Sequence, residues 1–185
     1  NYTNLFGIDP ISNCLDSIDS NRIKTQIGTS YNTQLTNKYA DCVIFSHVME
    51  HIVDINSTMI EINRILKNNG VVIVEVPNVE EGYSFDNSPL WDMIMEHINY
   101  FSSHTLKTLF QFYGFNTLAE EKDILPAKFG KIHTIRFAFS KSPSNKTRTF
   151  IPSRMLNIKN EINLSLPMLD NVTEPCALLS VSSYT

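Results

Sequence analysis

The sequence predicts a doubly wound α/β protein built on a mostly parallel sheet, and three observations lead there. Apolar runs alternate with helix-period stretches along much of the chain, as βαβ units require. Cys42-Val43-Ile44-Phe45 and Val71-Val72-Ile73-Val74 are continuous apolar runs, the pattern of strands covered on both faces. Between them lies an amphipathic segment with Met59, Ile62, Ile65 and Leu66 on one face.

The elements follow in order. Leu5 to Asp9 reads as a short strand ended by Pro10, with a weakly helical stretch to about Ser20. Ile23 to Gly28 alternates and predicts a second strand. The central helix is expected from Asp54 to Asn69, with Thr58 and Glu61 at capping-box spacing and Gly70 as its C-cap. The strand that follows ends at Pro77. Residues 78–100 show no clean period; a short helix is expected near Trp91 to Met95. Ser103 opens a further helix with Leu106, Leu109, Phe110 and Tyr113 on one face and Gly114 as its stop. Thr117 to Ile124 and Thr134 to Ser140 predict a final antiparallel pair. Ser142 to Lys146 reads as linker, Met155 to Leu166 is weakly helical, and Cys176 to Val181 opens a new strand.

Composition excludes several classes. The chain has 185 residues and a net charge of −4, so no basic field awaits nucleic acid or an anionic membrane. No apolar run reaches membrane-spanning length. Three widely spaced cysteines suggest neither a disulfide framework nor a zinc ribbon and fit a reducing, cytoplasmic setting.

Residues 40–115 resemble the class I S-adenosylmethionine-dependent methyltransferases. The resemblance rests on Asp41 through His51, on Glu61-Ile62-Asn63-Arg64-Ile65-Leu66-Lys67-Asn68-Asn69-Gly70, and on Glu75-Val76-Pro77-Asn78. Gly7-Ile8-Asp9-Pro10 is similar to the end of that family's second strand. It implies a Rossmann-like fold with S-adenosylmethionine as cofactor. Asp9 would take the ribose diol, a task suited to a two-oxygen carboxylate; Thr29 and Ser30 would lie by the adenine, and Ser46 and His47 by the methionine. Met95-Glu96-His97-Ile98-Asn99-Tyr100-Phe101-Ser102 resembles a stretch of sugar C-methyltransferases and related glycan-modifying enzymes, which makes Glu96 and His97 the base candidates. Ile94 and Met95 stand where the sugar enzymes carry tyrosine and histidine, so the deprotonation machinery for carbon methylation is incomplete and oxygen methylation stays open beside it. The implied acceptor is a sugar or another small molecule.

The glycine-rich loop of the family should precede the ribose acid by roughly 20 residues, but only eight residues precede Asp9. The reading is therefore a fragment without the first strand and helix. Its sheet would have a gap at the centre, and alone it would neither fold well nor methylate. Residues 1–141 form the partial cofactor domain in this reading, 142–153 a linker and 154–185 the start of a further α/β region.

Two alternatives stand beside it. His47-Val48-Met49-Glu50-His51 has the His-x-x-Glu-His form of inverted zinc peptidases, with a third ligand sought at Glu75 or Glu96. That chemistry needs the motif inside a helix, whereas here an apolar strand runs directly into it. No metal ligands are therefore assigned. The other alternative is a non-catalytic protein that keeps the methyltransferase fold.

Overall fold

A computed structural model describes residues 4–16, 18, 19, 21–82, 96–127, 130–141 and 176–180, the last by backbone path alone. The strands are β1 (Leu5–Asp9), β2 (Ile23–Ile27), β3 (Ala40–Ser46), β4 (Leu66–Pro77), β5 (Phe115–Ala127), β6 (Gly130–Lys141) and β7 (Cys176–Ser180). The helices are α1 (Ser12–Leu15), α2 (Ile55–Ile65), α3 (Val79–Gly82) and α4 (Ser103–Phe112), and a single 3-10 turn spans Met49–His51. The expected helix near Trp91 to Met95 and the expected linker lie outside the described residues.

The sheet runs β2-β1-β7-β3-β4-β6-β5. β2, β1, β7, β3 and β4 are parallel, and β6 and β5 close one side antiparallel. The gap expected from the sequence is not there. β7 pairs with β1 on one side and β3 on the other, Leu179 standing opposite both Ile8 and Phe45. Backbone N–H and C=O groups of β1 and β3 that an empty slot would orphan are thereby satisfied. A strand from the far end of the chain fills a position the sequence order could not assign.

α2 and α4 bury one face each. Met59, Ile62 and Ile65 of α2 and Leu106 and Phe110 of α4 are wholly enclosed with Val43, Phe45, Val72, Val74, Phe137 and Phe139 of the sheet. Phe110 stacks on Phe139 with ring centroids 3.9 Å apart. α4 starts on a capping box, Ser102 Oγ accepting from Thr105 N while Thr105 Oγ1 accepts from Ser102 N, and Gly114 takes a φ of 82° just after its end.

The ends of α2 differ from expectation. Its N-cap is Asp54, whose carboxylate accepts from Ser57 N at 2.9 Å; Thr58 and Glu61 are buried within the helix. It stops at Ile65, four residues before Asn69, because Leu66 turns extended and pairs with Ala40 of β3. Gly70 is thus inside β4, where close approach explains it: a Cβ there would lie 2.6 Å from Leu66 Cγ and 3.1 Å from Asp41 O.

Candidate active site

In a parallel sheet all strands present their carboxyl ends on one rim, where ligands gather in open α/β folds. Asp9 ends β1 and Ser46 ends β3, and the ladders through β7 put both at that rim. Thr29 and Ser30 follow the end of β2 on the same rim. The motif beginning at His47 is not helical along its length: β3 runs to Ser46, and only Met49–His51 makes a 3-10 turn.

Asp9 is fully enclosed, and its Oδ1 accepts from Ile11 N at 2.8 Å, which fixes the carboxylate above its own turn. Gly28 N donates to Asp9 O at 3.0 Å and ties β2's end to β1's. Ser30 Oγ lies 2.9 Å from Thr58 Oγ1, so its hydroxyl is held against α2. Ser46 Oγ donates to Glu75 Oε1 at 3.2 Å.

His47 has a φ of 53°, a left-handed backbone uncommon outside glycine and a form of local strain met at functional sites. Its Nδ1 lies 3.3 Å from Glu50 Oε1 and its Nε2 3.4 Å from Glu75 Oε1. Burial opposes its charge, but the contacts with Glu50 and Glu75 carry its pKa up to about 9, so it is a cation at neutral pH.

Glu75 is buried and accepts from Arg136 Nε at 2.6 Å. Arg136 is wholly enclosed, with Nη1 3.1 Å from Glu121 Oε2 and Nη2 3.6 Å from Asp123 Oδ2. Burial works against ionisation of Glu75, yet the His47 contact and the Arg136 charge hold its carboxyl below the usual 4.5.

Glu96 and His97 lie beside this cluster. Glu96 is exposed at the end of the undescribed stretch, and its carbonyl is bonded to His51 Nδ1 at 2.9 Å. Ile98 N and Asn99 N both donate to Glu50 O, at 2.8 and 2.9 Å, and Asn99 Nδ2 donates to Met49 O and Ile52 O. Residues 96–99 are therefore clamped to the 3-10 turn, which brings the His97 ring to 4.9 Å from that of His51.

Sequence reasoning placed Asp9, Ser46, His47, Glu96 and His97 in one neighbourhood of the fold. It gave no role to Arg136, and considered Glu50 and Glu75 only within the zinc-peptidase alternative. A signal existed: Glu75 and Arg136 interrupt apolar runs on strands, and a charged residue in such a run is buried with a partner. Which partner only the β4–β6 register decides, since it sets Glu75 directly opposite Arg136.

The comparisons bear on these observations. No curated protein sequence matches the chain. Its fold resembles that of a S-adenosylmethionine-dependent methyltransferase from Methanosarcina mazei, with a TM-score of 0.59, 12% identity, and 75% of this chain and 82% of that one covered. A second such enzyme, from Thermotoga maritima, gives 0.58 at 15% identity over 75% and 82%. A third, from Archaeoglobus fulgidus, gives 0.55 at 13% over 75% and 86%. Likeness at such low identity speaks for the fold alone. The family comes from the sequence: a family model described as a methyltransferase domain matches residues 1–120. With the parallel sheet and the shared rim already in place, that match makes the chain a member of the methyltransferase-domain family.

Proposed function

We propose that this protein binds S-adenosylmethionine across the carboxyl rim of β2, β1, β7 and β3 and methylates a sugar or other small-molecule acceptor at carbon or oxygen. The carrying observation is that Asp9 and the Ser46–His47 turn stand on one rim of a single parallel sheet.

The side chains present suit such a cofactor, which supplies a methyl group on a positively charged sulfonium. Asp9 offers a carboxylate to a ribose diol, its orientation set by Ile11 N. Thr29 and Ser30 would flank the base. Ser46 and the His47 cation would hold the amino-acid end, the imidazolium pairing with a carboxylate. Glu96, exposed beside the turn, would accept the acceptor's proton, with His97 as the other base candidate. Proximity and alignment are the protein's main contribution to a direct displacement of this kind.

We also infer that the 185-residue chain alone binds the cofactor weakly and is a poor catalyst, because no glycine-rich run occurs in it to wrap the methionine. Calorimetry tests both statements. Binding of S-adenosylmethionine should be weak but saturable. The Asp9→Asn variant should bind about tenfold less tightly or worse, the loss of a charge-assisted pair. Equal affinity of wild type and variant removes Asp9 from the pocket, and tight binding by the wild-type chain removes the inference of weakness. Glu96→Gln should lower turnover and leave cofactor affinity nearly unchanged; unaltered turnover takes Glu96 out of the chemistry.

A further inference from the structure

We propose that Glu50, His51 and His97 form a binding site for one divalent first-row transition cation, such as zinc or cobalt. Each offers one ligand atom, and those atoms lie within 4.8 Å of one another.

Glu50 supplies the first feature. Its side chain is 2% exposed, and neither carboxylate oxygen has a hydrogen-bond partner among the described residues. The ring nitrogens nearest to it are His47 Nδ1 at 3.3 Å and His51 Nε2 at 3.9 Å, both approaching Oε1. A buried carboxylate left unsatisfied is expensive, and bound cations are among the few things that make it tolerable.

His51 supplies the second feature. Its Nδ1 is within 2.9 Å of Glu96 O, and a carbonyl can only accept, so the proton sits on Nδ1. Nε2 then carries a lone pair directed to the Glu50 side. A carbonyl acceptor on the far nitrogen is the usual outer support of a metal-bound histidine. His97 brings a second imidazole, edge-on to the first at an interplanar angle of 69°. The three ligands are also fixed in place: Ile98 N and Asn99 N clamp Glu50 O, and Asn99 Nδ2 braces the turn on either side.

Two imidazoles and a carboxylate suit zinc, cobalt or iron better than magnesium or calcium. At metal–ligand bonds of ~2.1 Å, ligand atoms sit ~3.4 Å apart in a tetrahedron, so a modest rotation of the imidazoles closes the set. His47 does not belong to it: its second nitrogen is engaged with Glu75 at 3.4 Å. The third ligand is His97 rather than the Glu75 or Glu96 that the peptidase pattern suggested. Three protein ligands leave at least one position open, which an oxygen of the methyl acceptor or a water could fill. The site stands on its own residues and does not depend on the cofactor reading.

Equilibrium dialysis of the full chain against cobalt(II) or zinc(II), followed by elemental analysis and cobalt absorption spectroscopy, tests it. The expected result is one ion per chain, with cobalt bands of a nitrogen- and oxygen-ligated site. His97→Ala and Glu50→Gln should each weaken binding by about tenfold or more. Glu50→Gln keeps the size and shape of a side chain whose oxygens accept no hydrogen bond among the described residues, so its fold should survive, as circular dichroism would verify. Less than stoichiometric binding, or affinity unchanged in both variants, overturns the site. Metal binding without any S-adenosylmethionine binding would instead count against the proposed function alone.

Discussion

Replacing Arg136 by Met should be among the most damaging single changes in this protein. Arg136 is wholly buried, and its guanidinium faces Glu75, whose side chain is 2% exposed. Removing one member of a buried pair leaves the other charge uncompensated, at about 3–5 kcal/mol. Glu75 keeps Ser46 Oγ at 3.2 Å and His47 Nε2 at 3.4 Å, which argues for the lower end, ~3 kcal/mol. Glu121 and Asp123 are partly in water (42% and 28% exposed side chains), so their share is below about 1 kcal/mol. A loss of ~3 kcal/mol corresponds to a fall in Tm of about 6–12 °C for a domain of this size. Urea titration followed by circular dichroism measures it. Arg136→Met/Glu75→Leu should recover most of the loss, because an apolar pair of similar volume needs no charge compensation. A single-variant loss under about 1 kcal/mol, or a double variant worse than the single, refutes the reasoning. The pH profile gives a second reading. Glu75 ionises below its ordinary 4.5 in the folded chain, so its contribution is present above that value and lost as pH falls through the folded one. Arg136→Met should flatten that acid limb.

Other predictions follow from the packing. Phe110→Ala should cost about 3–5 kcal/mol, since it empties a fully buried site stacked on Phe139; a loss below about 1 kcal/mol in urea would contradict the packing. Gly70→Ala should destabilise by about 1–3 kcal/mol, because the added methyl meets Leu66 and Asp41 O; an unchanged Tm would show that the backbone relaxes freely. Ser102→Ala should lower stability by about 1 kcal/mol through loss of the α4 cap, and guanidine melts would detect it. Deleting residues 176–185 should expose the facing edges of β1 and β3 and drive self-association in analytical ultracentrifugation; a monomer with unaltered Tm would mean that β7 is dispensable.

Local pattern alone determined much of this protein. Periodicity located β1 to β4, the antiparallel β5–β6 pair, and the buried faces of α2 and α4, because side-chain burial repeats at 2.0 or 3.6 residues along the chain. The family match spans residues 1–120 and includes the string from Asp41 to Asn78 on which the sequence resemblance rests. Where neighbours in sequence competed, the pattern misled: Leu66 to Gly70 looks helical, but pairing of Leu66 with Ala40 supplies backbone partners that the helix cannot match. Tertiary structure decided the rest, since those contacts join residues far apart in sequence and leave no periodic trace. It placed β7 between β1 and β3, set Glu75 against Arg136, and brought His97 to His51 by clamping residues 96–99 onto the 3-10 turn. A buried charge announces in the sequence that it needs a partner; only the folded register says which one it has.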